Sequence, residues 1–386
     1  MILPTIEQLG DLSSKVVLVR CDFNVPLNID QNSELKVSIA DDFRIRQAIP
    51  TLKKLLEQGA EVKVCTHLGR PKGKPDPRYS VEPVREFLNE LLPGVHLMEN
   101  LRFDPGEEKN DDNFVRHLIE GVDFYVNDAF GVCHREHASI VGPPKYLPSA
   151  AGLLVLKEVN KICSLFESPK RPFVAIVGGA KVSDKLGLLS SLARDADYVL
   201  VGGAMAMTLL KAKGLNVGSS LVEDHLLTEA QNLLKTYPNI LLPVDFVVIK
   251  ADPLNEVNTQ LDPENIDEQI IVTEKIQDNW SCHDIGPKTA GIYEQYILKA
   301  QTIFWNGPMG VFEDPRFAEG TRQIALAISK SDGYSLIGGG DSASALRHMH
   351  LENAVSYIST GGGACLELIE FRDLPGLKAL RESFKK

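Results

Sequence analysis

The chain has 386 residues, 44% of them hydrophobic and 24% charged, with a formal net charge of -11. That length exceeds what one hydrophobic core usually organises, so two domains of roughly 190 residues each are expected. The acidic balance argues against a general binder of nucleic acid or membrane surfaces, and no apolar stretch approaches the ~20 residues that a membrane-spanning helix needs.

Short β-branched runs alternate with longer amphipathic stretches along the chain. Val16–Val19 reads as a strand, Ile45–Gln58 as a helix, Val62–Cys65 as a strand and Val84–Leu92 as a helix. Phe124–Val126 is the next strand and Leu153–Phe166 the next helix, before strands at Phe173–Val177, Tyr198–Val201, Ile303–Trp305 and Tyr334–Ile337. Such alternation implies an α/β fold with right-handed βαβ crossovers and mainly parallel sheets. Two prolines in Ser168-Pro169-Lys170-Arg171-Pro172 break the pattern, which places the domains at 1–168 and 169–373. The acidic stretch Ala251 to Asp284 reads as an irregular surface excursion. The cysteines (Cys21, Cys65, Cys133, Cys163, Cys282, Cys365) are scattered without a C-x-x-C pair, which suits a reducing compartment. Met1–Leu12 lacks the basic-then-apolar pattern of a leader, so a cytoplasmic protein is expected.

In open parallel sheets, ligands bind beyond the carboxyl ends of the strands. In the first half those positions carry Asp22, Phe23 and Asn24, then His67, Leu68, Gly69 and Arg70, then Arg102, then Arg135, with Arg44 opening a helix. Guanidinium forks and imidazoles gathered after strands suit an anion rich in carboxylate and phosphate oxygens. Cys133, His134 and His137 have poor zinc-ligand spacing, with no second ligand pair.

In the second half the post-strand loops are rich in glycine: Gly178-Gly179-Ala180-Lys181, Gly202-Gly203, Asn306-Gly307-Pro308, Gly338-Gly339-Gly340-Asp341-Ser342 and Gly361-Gly362-Gly363. Glycine lets backbone N–H groups approach phosphate, and a helix N-terminus favours an anion there. Lys181 and Lys185, four apart on the expected new helix, are placed to lean toward one phosphate. No Walker G-x-x-x-x-G-K-[ST] loop occurs. Gly338–Ala343 fits a loose dinucleotide loop, but Asp341 would repel a bare pyrophosphate, so the charge logic favours a Mg²⁺–nucleotide over NAD.

These motifs, in this order, resemble the phosphoglycerate kinase family from end to end. Val19–Leu27, His67–Pro71, Glu99–Phe103, Asn127–Gly131, His134-Arg135, Gly178–Lys185, Asp284–Thr289, Phe304–Glu313 and Gly338–Ser342 carry the likeness. The resemblance implies two Rossmann-like domains facing a central cleft. The first would bind 3-phosphoglycerate or 1,3-bisphosphoglycerate and the second MgATP or MgADP, with the tail, 374–386, packing back onto the first. It implies that Asp22, Phe23, Asn24, Arg44, His67, Leu68, Gly69, Arg70, Arg102 and Arg135 hold the phosphoglycerate. It assigns the nucleotide to Gly179, Ala180, Lys181, Lys185, Gly202, Gly203, Asn306, Gly307, Pro308, Glu313, Gly338, Gly339, Gly340, Asp341 and Ser342. Asp341 would hold Mg²⁺, and Arg44 and Lys185 would act on the transferring phosphoryl group. No NAD, structural metal, nucleic acid or membrane partner is implied, and a monomer is. Direct in-line transfer with hinge closure is expected, and an ionised carboxylate acceptor needs no general base. Three positions depart from the family pattern. Thr66 and Cys133 are expected to leave the chemistry alone, whereas Phe371, in place of a glycine, puts a local turn in doubt. An NAD-dependent dehydrogenase, or a binding protein with no catalysis, is the competing reading. The first rests on the doubly wound α/β architecture and the loop at Gly338, and the second would need one ligand site, whereas the chain carries an arginine-rich face and a separate glycine-rich one.

Overall fold

The structure is a computed structural model and describes residues 1–30, 36–250 and 270–384. Two compact units emerge, one formed by Met1–Lys161 with Phe371–Lys386 and the other by Ile162–Glu370.

In the first unit the elements run β1 (Val16–Arg20), β2 (Leu27–Asp30), β3 (Lys36–Ile39), α1 (Phe43–Glu57), β4 (Glu61–Cys65), α2 (Glu82–Leu91) and β5 (Val95–Leu97). They continue with α3 (Pro105–Lys109), α4 (Asp112–Leu118), β6 (Phe124–Asn127), α5 (Ala138–Val141), β7 (Ser149–Ala151) and α6 (Leu153–Glu167). The main sheet has the order β5-β4-β1-β6-β7, all parallel, and β2-β3 form a small antiparallel pair. Val17, Leu18 and Val19 of β1 are all fully buried. A continuous apolar run of this kind marks a strand covered on both faces. The strand order reverses beside β1, so the loops after β1 and β6 open at the point where ligands enter such sheets.

The chain leaves this unit along α6. Thr51 Oγ1 accepts from Leu153 N at 2.9 Å and Asp128 Oδ1 from Leu154 N at 2.9 Å, which ties the start of α6 to the first unit. The units divide within that helix and not at the double proline, because a helix passes through proline-free sequence without regard to which core it packs on.

The second unit runs β8 (Phe173–Val177), α7 (Leu186–Asp195), β9 (Tyr198–Val201), α8 (Met205–Ala212), α9 (Leu227–Thr236), β10 (Ile240–Leu241), β11 (Phe246–Lys250), β12 (Ile270–Thr273) and β13 (Trp280–Ile285). It continues with α10 (Pro287–Lys299), β14 (Thr302–Asn306), α11 (Glu319–Lys330), β15 (Tyr334–Ile337), α12 (Gly340–His348), β16 (Tyr357–Ile358) and α13 (Gly363–Phe371). Its parallel sheet is ordered β10-β9-β8-β14-β15-β16, and the order reverses between β8 and β14. The loops Gly178–Lys185 and Gly307–Pro308 leave the sheet at that reversal.

Two expectations are corrected here. The excursion expected from Ala251 to Asp284 is in part regular: β12 and β13 pair with β11 in an antiparallel sheet ordered β12-β11-β13, and 251–269 lie outside the described residues. The turn near Phe371 is formed without strain on that residue. Phe371 ends α13 with its side chain 62% exposed, and the left-handed conformation falls on Arg372, at φ 64°.

After that turn α14 (Pro375–Ser383) lies against α5 and β7 of the first unit. Leu377 and Leu380 are fully buried, and Gly376 N donates to Cys133 O at 2.8 Å. The last two residues of the expected tail, 385–386, lie outside the described residues.

Candidate active site

The loop after β1 is held by neighbours on three other segments. Thr66 Oγ1 accepts from Phe23 N at 2.9 Å, so the residue expected to stand apart from the chemistry shapes the loop carrying Asp22 and Asn24. Asn24 Oδ1 accepts from Gly69 N at 2.8 Å, and Gly69 O accepts from Arg102 Nη1 at 2.8 Å. Gly69 sits at φ 61°, and a Cβ there would stand 2.3 Å from the Tyr79 ring, so no other residue fits. Arg44 Nη1 donates to Asp22 Oδ2 at 3.0 Å and to Asn24 O at 3.2 Å. Phe23 and Leu68 belong to the apolar core, with their amide N–H groups already taken by Thr66 and Asn100. They hold the backbone in place. Arg70 and Arg135 are exposed.

Charge crowding is the chief electrostatic fact of this unit. Burial, then Arg20, Arg102, Arg44 and His137, push His67 well below the usual imidazole range. His134 is pushed down to about 4 by burial and then by Arg135 and His137, and Arg102 is lowered by burial. Burial also lowers His137, whose Nδ1 lies 3.9 Å from Glu107 Oε1. An anion entering among these crowded cationic and imidazole groups would offset their mutual repulsion. Sequence reasoning passed over Arg20, Glu107 and Ser139. All three are fully buried here, although the position of Arg20 at the end of an apolar strand was a signal.

In the second unit the glycine loops pack backbone against backbone. Gly178 N donates to Asn306 O at 2.9 Å, Gly203 N to Met309 O at 2.8 Å and Gly307 N to Ser342 Oγ at 2.6 Å. Asn306 Nδ2 donates to Gly338 O at 2.7 Å. Gly307 has φ 88°, and a Cβ on it would lie 2.3 Å from Gly178 O. These contacts tie together the loops after β8, β9, β14 and β15.

A pocket of about 240 Å³ opens beside them, lined by Gly179, Ala180, Gly203, Ala204, Pro308, Glu313 and Asp341. Met207, Pro243, Phe246, His283 and Val311 add a largely apolar wall that the sequence reading did not assign. The lysines depart from expectation. α7 begins only at Leu186, so Lys181 is exposed in the preceding loop and does not share a helix face with Lys185. Lys185 turns back instead, and its Nζ donates to Gly178 O at 2.5 Å. Burial pulls its pKa down to about 8 against the opposing pull of Asp341 and Asp184. Asp284, of the Asp284–Thr289 motif, accepts from Gly320 N at 2.7 Å at the start of α11, and burial pushes it up to about 7. Among the described residues, no group of three or more His, Cys, Asp or Glu is arranged to hold a metal ion, and Cys133, His134 and His137 do not form one.

The family model described as phosphoglycerate kinase matches residues 6–97 and 93–372. The chain belongs to the phosphoglycerate kinase family. A phosphoglycerate kinase of Rubrobacter xylanophilus is 48% identical, covering 96% of this chain and 97% of that one. One of Pseudothermotoga lettingae is 42% identical, covering 97% and 98%. Among solved structures, the phosphoglycerate kinase of Coxiella burnetii superposes with a TM-score of 0.86 at 36% identity, covering 99% of each chain. As a phosphoglycerate kinase family member the chain is a phosphotransferase, moving a phosphoryl group reversibly between 1,3-bisphosphoglycerate and ADP in glycolysis.

Proposed function

We propose that the cationic cluster of the first unit holds the phosphoglycerate and that the glycine-lined pocket of the second holds the nucleotide. The observation carrying this is the gathering of Arg44, His67 and Arg102 around the strand-order reversal, with His67 held neutral by burial beside the guanidinium groups. Arg44, Arg70, Arg102 and Arg135 then neutralise the substrate's phosphate and carboxylate oxygens and His67 donates a hydrogen bond to them, while Asp22 and Asn24 accept from its hydroxyl. In the second unit, amides at Gly179, Ala180 and Gly338–Gly340 meet the nucleotide phosphates with Lys181 and Lys185. Glu313 meets the ribose, and the apolar wall covers the base.

Asp341, exposed in the first turn of α12 and lining the same pocket, is the residue that fits Mg²⁺. One hard carboxylate beside a phosphate cradle suits an ion that takes its remaining ligands from phosphates and water. When bound, Mg²⁺ neutralises charge on the phosphate oxygens. Lys185 and Arg44 stabilise the equatorial oxygens during in-line transfer. The acceptor carboxylate is already ionised, so no side chain need remove a proton.

The test is ATP formation from ADP and 1,3-bisphosphoglycerate with and without Mg²⁺. Turnover should require the metal, and equal rates after chelation would remove Asp341 from this role. Because the two substrates are assigned to different units, direct transfer needs those units to close and exclude water. Solution scattering should show a smaller radius of gyration with both substrates bound, and an unchanged profile would count against closure. The same reading makes the protein a cytoplasmic monomer acting on small molecules alone; its six cysteines, none of them in a disulfide, suit the reducing cytosol.

Lys185 also sets a pH dependence. Free Lys185 has a pKa of about 8, and nucleotide phosphates favour its charged form, so its pKa rises on binding. Nucleotide affinity should therefore fall as pH rises above about 8, and binding should take up protons there. Calorimetry in buffers of different ionisation enthalpy measures that uptake, and proton release would contradict it.

A further inference from the structure

Arg20 is fully buried, and each of its nitrogens is directed at a particular atom. Its Nε donates to Ser139 Oγ at 2.8 Å, its Nη1 donates to Cys21 O, and its Nη2 lies 3.2 Å from His67 Nδ1. Ser139 Oγ in turn donates to Glu107 Oε1 at 2.6 Å, Ser139 N donates to Glu107 Oε2 at 2.9 Å, and Tyr125 Oη donates to Ser139 O at 2.7 Å. A hydroxyl that gives its proton to Glu107 has only lone pairs left for Arg20, so the guanidinium is held in one orientation.

Guanidinium donates and never accepts. The His67 nitrogen facing Arg20 must therefore be the acceptor, and the ring proton must sit on Nε2. The competing partner is Asp22, whose Oδ1 lies 4.0 Å from the same Nδ1, beyond hydrogen-bond reach. We infer that Arg20 is a positioning residue that fixes His67 as the Nε2–H tautomer, so that His67 offers its substrate a hydrogen-bond donor from a neutral ring. Neutrality is favoured by burial and by the guanidinium groups around the ring, Arg20, Arg102 and Arg44. The tautomer follows from the Arg20 contact alone, while the claim that His67 meets the substrate rests on the site assignment above.

The experiment is a long-range proton–nitrogen correlation spectrum of the full chain labelled with ¹⁵N-histidine, at pH 7. Of the nine histidines, His67 is assigned by the signal lost in His67→Asn. The expected spectrum has a pyrrole-type Nε2 and a pyridine-type Nδ1; a protonated Nδ1, or an imidazolium, overturns the inference. Arg20→Lys keeps a charge, but its single nitrogen cannot occupy the three separate positions from which Nε, Nη1 and Nη2 face Ser139, Cys21 and His67. That variant should mix the tautomers and raise KM for 3-phosphoglycerate on the order of tenfold, with kcat moved less. A higher KM with the tautomer unchanged would mean that Arg20 acts only by charge or packing, and would also overturn it. If Arg20→Lys does not fold, the native spectrum alone still decides the tautomer. Adding 3-phosphoglycerate should shift the His67 Nε2–H resonance. A native spectrum with the expected tautomer and no shift would support the role of Arg20 and remove His67 from the substrate site.

Discussion

Replacing Lys185 with alanine should lower kcat by on the order of 10²–10³-fold, the cost typical of losing one preorganised charge donor. The ammonium is placed by the glycine loops themselves. It donates to Gly178 O at 2.5 Å and stands 3.1 Å from where a Cβ on Gly179 would lie and 2.7 Å from one on Gly307. No larger residue at those positions would leave it room. Half-buried and with a pKa of about 8, Lys185 has given up part of its hydration before the phosphates arrive. Its charge is therefore worth more to the transferring group than that of a solvated lysine. The loss should fall on kcat more than on KM, because the donor serves charge that spreads only in the transition state. Alanine also removes a desolvated amine, so the melting temperature should not drop. Near-normal turnover at saturating substrates would take Lys185 out of the reaction. Lys185→Arg should not rescue, since a planar fork does not fit between the two glycines.

Arg44→Ala should show a loss of similar size, on the order of 10²–10³-fold in kcat, but from the phosphoglycerate side. Arg44 opens α1 with its side chain 33% exposed, and it touches Asp22 and Asn24 through one nitrogen only. The rest of its fork is left for an anion. A structural alternative is that its loss merely strands the Asp22 carboxylate. The double variant Arg44→Ala with Asp22→Asn separates the two: recovery of turnover there would make Arg44 a partner of Asp22 and nothing more. Arg44→Lys should restore part of the rate, since a point charge replaces some of the fork's function but none of its bidentate geometry.

Much of this molecule is local in origin, and for that reason legible in its sequence. Strands such as Phe173–Val177, Tyr198–Val201 and Tyr334–Ile337 fall where their apolar runs place them, because a strand covered on both faces needs little more than β-branched and aromatic residues in a row. The loops after those strands are equally readable, since glycine and the residue opening a helix are set by local backbone demands. What is harder to read depends on partners distant in the chain. Arg20 differs from an ordinary strand-end arginine only through Ser139 and Glu107, which lie more than eighty positions away. Asp284 belongs to the start of α11 through Gly320, and the strands β11 to β13 exist because they found one another.

By itself, then, the sequence determined the α/β class, the family and which loops carry arginine and which glycine, because each follows from short-range pattern. The tertiary structure alone decided that Lys185 turns back on Gly178 while Lys181 stays outside, that the left-handed turn falls on Arg372, and that Arg20 faces His67. Those outcomes depend on burial and on the donor or acceptor standing opposite each group, and neither exists until the chain has folded.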